Sequence, residues 1–311
     1  MKKHTPSLEN WLYQALENDP PRAKSLCVTL IGDAIEPHGG SLWLSDLIQL
    51  VVPLGINERL LRTSVFRLVA QGWLQSERHG RRSLYRLTDT GLEQTRQASE
   101  RIYQGTPEHW ADDWTLVVLP RFGNGGMEGR ADIRRELIWA GFGALAPGIF
   151  ALPRNQASLA RKLLKAHHLQ DQALVLGAHD LNDGKGLMLA SLIDQCWDLD
   201  GLAAHYKGFC ERFEPLETLM GDTLQPTQAY AIRTLLLHAW RRAVLHDPQL
   251  PVQMLPGDWP GIRARALCAR LYWQVFNAAE QHLESVLGQD ALHFQPLKTQ
   301  VFERFGGPET T

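Results

Sequence analysis

Three amphipathic stretches, each closed by glycine or proline, are followed at once by two runs that alternate like strands. This order constrains the first hundred or so residues more than any other feature of the chain. Residues 22–35 set Leu26, Leu30 and Ile31 along one helical stripe, and His38-Gly39-Gly40 breaks it. Ser41 is placed to cap a second helix through Val51, which Pro53 and Gly55 stop. Asn57 caps a third helix over residues 58–71, ended by Gly72. Residues 73–75 read as a short strand, residues 77–82 as a polar turn and residues 83–87 as the returning strand. Three helices and then a two-stranded hairpin is the order of a winged helix-turn-helix.

Charge points the same way. The chain has 32 basic and 34 acidic side chains, a formal net charge of -2. Within residues 57–86, however, Arg59, Arg62, Arg67, Arg78, Arg81, Arg82 and Arg86 face only Glu58 and Glu77, a local excess of +5. Screening confines attraction for phosphate to roughly 8 Å, so the local figure matters and the total does not. On the third helix Leu61, Val65, Leu68 and Val69 share one face, while Arg59, Arg62, Thr63 and Arg67 fall largely on another. That division lets a helix pack on its domain and still enter a major groove, where an arginine fork reads guanine or grips phosphate. Arg78, Arg81 and Arg82 flank Gly80 at the hairpin tip, within reach of the minor groove or the backbone. A solvated helix face with a charged hairpin is the plainer reading of each half; the two in this order favour double-stranded DNA as partner.

Beyond residue 88 a further helix runs to about residue 103, and Gly105-Thr106-Pro107 marks the first boundary. Residues 114–119 form a strand, 121–129 a loop and 130–140 a helix. Residues 145–152 supply a second strand or a hairpin around Pro147-Gly148, residues 155–168 a second helix and residues 173–176 a last strand. This βαββαβ-like order fits a small ferredoxin-like unit. After Gly186 the signals are helical, over residues 187–219, 227–245 and 262–286. The expected architecture is therefore α+β and multidomain. A winged-helix domain occupies residues 1–105, a ferredoxin-like α+β domain residues 106–184, and a mainly helical domain residues 185–311.

Cys27, Cys196, Cys210 and Cys268 are scattered, without the short spacings of a zinc site or the density of a disulfide framework. Reduced thiols in a cytoplasmic protein are the expectation. No apolar segment follows Met1-Lys2-Lys3-His4, so no signal peptide is expected, and no uncharged apolar run approaches a membrane span.

Arg62-Thr63, Phe66-Arg67-Leu68, Gly72-Trp73-Leu74 and the run Gly80 through Thr88 resemble the pattern of the PaaX family of bacterial repressors of phenylacetic acid catabolism. LIWAGFGALAPGIF from Leu137, LLLHAWRRAVLHDPQLPVQMLPGDWPG from Leu235 and FERFGG from Phe302 are similar to later segments of that family, so the resemblance spans nearly the whole chain in order. It implies a homodimeric repressor released from operator DNA by phenylacetyl-coenzyme A, with residues 185–311 as the effector-sensing domain; residues 106–184 are read as a dimerisation or spacing unit, and no cofactor is expected. It also implies that the middle segment is similar to small CRISPR-associated nucleases, whose first strand ends in a metal-holding aspartate. Here that strand ends Leu119-Pro120-Arg121, and Asp112 and Asp113 precede it.

An acyl-coenzyme A effector needs cations for its phosphates and an apolar pocket for its acyl group. Arg233, His238, Arg241 and Arg242 lie on one expected helix and Arg263, Arg265 and Arg270 on the next. His238, Arg241, Arg242 and Trp259 are the candidate effector contacts, with Trp197, Tyr206, Phe209, Phe213, Trp240, Tyr272 and Trp273 as further aromatic surface. Core packing is the ordinary use of such aromatics. The alternative class is an enzyme hydrolysing nucleic acid or an acyl-coenzyme A thioester. Its signals are weak. Gly123, Gly125 and Gly126 lack a following Lys-Ser/Thr, His167, His168 and His179 lack metal-ligand spacing, and no Gly-x-Ser-x-Gly elbow is present. No catalytic or metal-binding residue is assigned.

Overall fold

Ser7 opens the first helix by accepting the Asn10 amide on its hydroxyl, and α1 runs Leu8–Asn18, a segment the periodicity above leaves unassigned. The computed structural model describes residues 7–105, 110–119, 127–179, 189–221, 224–288 and 292–308. α2 (Ala23–Leu30) passes without interruption into a wider turn over Ile31–Ile35, where the Glu36 amide reaches back five residues to the Ile31 carbonyl. The helix expected over residues 22–35 is thus present, but its last turn is π-helical and buries Asp33.

Ser41 does not cap a helix. It begins β1 (Ser41–Trp43), and α3 starts only at Leu44, running to Val51. The cause is non-local: β1 pairs antiparallel with β3, Leu42 opposite Tyr85 and Trp43 opposite Leu84. α4 (Glu58–Ala70) begins where expected, with the Asn57 side chain accepting the Leu60 amide at 2.9 Å. β2 (Leu74–His79) and β3 (Arg82–Leu87) extend further toward each other than the polar turn suggested. Their ladder continues to His79 opposite Arg82, so Gly80 and Arg81 alone make the turn, and Gly80 takes the left-handed φ of 60° such a turn needs. The sheet order is β1-β3-β2, a third strand added to the expected hairpin.

Thr88 caps α5 (Asp89–Tyr103) by accepting the Gly91 amide at 3.0 Å. Any Cβ at Gly91 would lie 2.2 Å from the Trp73 carbonyl oxygen, so only glycine lets this helix start against the hairpin.

The next elements keep the βαββαβ order: β4 (Trp114–Val118), α6 (Met127–Trp139), β5 (Gly143–Ala146), β6 (Ile149–Leu152), α7 (Ala157–Ala166) and β7 (Leu174–Ala178). Every pairing in this four-stranded sheet is antiparallel, in the order β5-β6-β4-β7. Ile133 and Leu137 of α6, with Ala160 and Leu164 of α7, pack on Val117, Phe150 and Leu152 of the sheet. Alternation along β4 and β6 supplies that apolar face.

The remaining described elements are helical: α8 (Ile193–Cys196), α9 (Leu199–Phe213), α10 (Leu216–Leu219), α11 (Pro226–Val244), α12 (Pro260–Leu287) and a 3-10 segment, Thr299–Gly306. Two compact units result. Residues 1–105, 206–242 and 261–311 form one, and residues 106–205 and 243–260 form the other. The stretch expected as one helical domain from residue 185 contributes to both. In the first unit Trp240 packs tilted against Tyr206 and Phe209, and Phe209 against Phe213, at 4.9 to 5.8 Å between ring centres. These aromatics are core.

Candidate nucleic-acid interface

α4 buries Leu61, Ser64, Val65 and Leu68 and leaves Arg59, Arg62, Thr63, Phe66 and Arg67 exposed. Ser64 can lie on the inner face because its hydroxyl donates to the Leu60 carbonyl at 2.8 Å, and Thr63 donates likewise to Arg59 at 3.0 Å. Arg62 pairs with Glu58 one turn earlier at 2.6 Å, both side chains more than half exposed. Such a surface pair is worth only a few tenths of a kcal/mol, so it leaves Arg62 recruitable. Among the described residues Arg59, Arg67 and Arg81 enter no ion pair.

The hairpin tip is held from below. Arg82 lays its guanidinium 4.0 Å above the Trp43 ring, so the added strand β1 steadies a tip residue. Arg78 donates from Nε to the Gly80 carbonyl at 3.2 Å, closing the turn. Glu77 is engaged by His79 at 3.0 Å and by Arg86 at 4.0 Å, and Arg78, Arg81 and Arg82 remain exposed. The helix and hairpin therefore present six arginines and one threonine to solvent, none in a buried ion pair. The sequence reading omitted Phe66, which is 73% exposed on the same helix. The signal was available: it sits one turn beyond Arg62, off the apolar stripe.

The candidate effector contacts are placed differently from one another. His238 is buried, with Nδ1 3.1 Å from the Thr29 hydroxyl. Burial, then the charges of Arg241 and Arg242, push its imidazole down to about 4, so it sits neutral in the core. Arg242 is exposed and reaches Asp19 at 3.3 Å. Arg241 is half-buried, donates to the Ser25 carbonyl at 3.4 Å, and has its pKa lowered by burial. Trp259 is buried in the other unit. Of the wider cationic set, Arg263 pairs with Glu214 at 2.6 Å, Arg270 with Glu217 at 2.7 Å, and Arg265 donates to the Tyr103 and Gln104 carbonyls.

Arg233 is 1% exposed and belongs to a buried charge network that sequence reasoning did not find. Its Nε donates to Asp33 at 2.8 Å and its Nη1 to Glu280. Arg304 donates to Asp33 Oδ1 at 2.8 Å and to the Tyr272 hydroxyl at 2.7 Å, and the Tyr103 hydroxyl donates to the same Asp33 oxygen at 2.8 Å. His38 sits 3.0 Å from Glu280. Burial alone would raise the Glu280 carboxyl, but the His38 hydrogen bond and the Arg233 charge outweigh it and hold it at about 2. Two carboxylates and two guanidiniums thus balance in the interior, as buried charge requires. The tail motif Phe302–Gly307 acquires a role here, since Phe305 (φ 55°) turns the chain so that its ring packs 5.2 Å from Tyr103 behind Arg304.

Among the described residues no group of three or more His, Cys, Asp or Glu side chains could hold a metal ion. His167 pairs with Glu136 at 3.0 Å, and His179 contacts the Asp112 carbonyl at 2.8 Å. Asp112 and Asp113 precede β4, and Gly123, Gly125 and Gly126 lie outside the described residues.

Comparison with known proteins covers most of the chain. Residues 22–91 match the family model described as PaaX-like protein, residues 107–186 that of the PaaX protein central Cas2-like domain, and residues 197–285 that of the PaaX-like protein C-terminal domain. The chain is 36% identical over 304 residues to the transcriptional repressor PaaX of Escherichia coli strain K12, covering 96% of this chain and 95% of that protein. It is also similar to a solved structure of an uncharacterized protein from Mycobacterium tuberculosis, with TM-score 0.53 and 24% identity, over 85% of this chain and 98% of that one. At that identity the likeness speaks to fold alone.

Proposed function

The chain belongs to the PaaX family, and on that premise we propose that it is a DNA-binding transcriptional repressor of phenylacetate catabolism genes, released from its operator by phenylacetyl-coenzyme A. The observation that carries the reading is the exposed arginine set on α4 and the β2–β3 hairpin, on a chain whose formal net charge is -2. The reading is of a regulator and not an enzyme, in keeping with the repressor named at 36% identity.

In this reading α2, α3, α4 and the β1-β3-β2 sheet act as a winged helix-turn-helix. α4 enters the major groove with Arg59, Arg62, Thr63 and Arg67, and Arg78, Arg81 and Arg82 of the wing hold flanking backbone or minor groove. The middle βαββαβ unit, with sheet order β5-β6-β4-β7, takes the ferredoxin-like role of spacer or dimerisation module. A homodimer presents two recognition helices about 34 Å apart, or a multiple, and so requires a near-palindromic operator. The protein works in the cytoplasm without cofactor. No helix among the described residues is long and apolar enough to cross a membrane.

Release needs only differential affinity. An effector that prefers a geometry in which the recognition helices are misplaced lowers operator affinity by linkage, as far as that preference extends. The test is a titration of the protein–promoter complex with phenylacetyl-coenzyme A, free phenylacetate and coenzyme A side by side. Release by the thioester alone is the expected result. Equal release by free phenylacetate, or release by none of the three, overturns the effector assignment, and absence of a specific promoter complex overturns the repressor.

A further inference from the structure

Arg22, Lys24 and Arg241 line one groove of about 370 Å³ beside the C-terminal end of α4. No carboxylate among the described residues lines it; Leu68 and Trp73 give it an apolar wall, and Gln71 closes the α4 side. Among the described residues none of these three cations enters an ion pair: Lys24 donates from Nζ to the Gln71 side-chain oxygen, and Arg241 donates only to the Ser25 carbonyl. Several other arginines of the same unit are neutralised by carboxylates, as in Arg212 with Asp19, Arg263 with Glu214 and Arg270 with Glu217. Three uncompensated cations sharing one concavity with apolar walls focus positive potential there. Burial lowers the Arg241 pKa, as expected of a cation held out of water without an anion.

We propose that this groove is the phosphate-binding site of the effector, taking the phosphate groups of a coenzyme A thioester on Arg22, Lys24 and Arg241. The proposal rests on the effector reading above and adds to it Arg22, Lys24 and a route to DNA. Lys24 is the link: it tethers Gln71, the residue that ends α4. A phosphate on Lys24 competes with the Gln71 amide oxygen, an exchange a charged acceptor wins over a neutral one. The last turn of the proposed recognition helix then loses this hydrogen bond to the start of α2, one part of a release that the acyl group completes. The groove takes the phosphates and not the acyl group. A cavity behind it, sharing Val28, Trp73 and Arg241 as its wall, measures about 30 Å³, room for a water or two but not for an aromatic ring.

Isothermal titration of the full chain with coenzyme A and with phenylacetyl-coenzyme A, in the absence of DNA, tests this. The double substitution Arg22→Gln/Lys24→Gln should weaken both ligands by at least about tenfold, which is about 1.4 kcal/mol. Lys24→Arg, which keeps the charge, should restore binding to within about threefold of wild type. Arg241→Gln, made separately, carries the same expectation should the double variant not fold. Wild-type and variant proteins binding phenylacetyl-coenzyme A equally well would overturn the groove and leave the effector reading standing. A wild-type protein that binds neither ligand overturns the effector reading, and the groove assignment with it. Variants that keep the ligands but lose operator affinity would assign the groove to DNA phosphates instead, against the proposal.

Discussion

Arg304 donates its guanidinium to the Asp33 carboxylate at 2.8 Å, joining positions 271 residues apart in the chain. Asp33 reaches that place because α2 widens into a π-helical turn, and Arg304 because Phe305 and the two following glycines take positive φ angles. Asp33 also receives Arg233 and the Tyr103 hydroxyl, so one carboxylate ties α2, α5, α11 and the tail together.

This sharing predicts an order of costs. Asp33→Ala leaves buried Arg304 without a carboxylate and Arg233 with Glu280 alone, and should destabilise by about 3–5 kcal/mol. Arg304→Ala should cost less, because Arg233 still neutralises Asp33. Urea unfolding of the three proteins measures both. The reverse order, or two changes near zero, would remove the network from the fold's stability.

His238 predicts a pH dependence. Its folded pKa of about 4 lies below the roughly 6.5 of an unfolded chain, so between those values the unfolded state binds more protons. Its contribution is complete above about pH 6.5 and is lost as pH falls toward 4. His238→Gln removes that dependence, so the stability difference between wild type and variant should change against the wild type by up to about 3 kcal/mol across the window. Parallel curves for the two proteins would contradict the assignment.

Phe66 separates folding from binding. At 73% exposure it packs little, so Phe66→Ala should leave thermal stability within about 0.5 kcal/mol of wild type. On a recognition helix, an exposed ring suits a thymine methyl, and the same change should weaken operator binding. Gel-shift affinity unchanged by Phe66→Ala would place this face of α4 off the DNA.

Arg62→Ala and Arg67→Ala should each weaken operator binding by about 1–3 kcal/mol and relax specificity at the contacted base pair. For Arg62 the loss is deepened by freeing Glu58, which should repel phosphate; Arg62→Ala/Glu58→Gln should therefore bind better than Arg62→Ala.

Arg81→Ala should weaken binding evenly across sequences and reduce the slope of affinity against salt by about one phosphate contact, near 0.9 in log–log terms. A sequence-selective loss with unchanged salt dependence would make Arg81 a base reader, not a phosphate contact.

The sequence by itself determined what local spacing can encode. Asn57 as a cap, Leu61, Val65 and Leu68 as a buried stripe, Gly80 as a turn residue and the βαββαβ order of the middle unit follow from neighbours a few residues apart, whose geometry needs no distant partner. The exposed arginines of α4 followed too, because a side chain off the apolar stripe of an amphipathic helix faces water. Only the tertiary structure decided the fate of residues whose partners are remote. Ser41 became a strand because β3 offers it a ladder, Arg233 and His238 were drawn inward by Asp33 and Thr29, and Arg22 and Lys24 met Arg241 across the fold. The physical reason is that a polar group's free energy depends on whether it is desolvated and paired. Pairing is a property of position in space, which spacing along the chain does not carry.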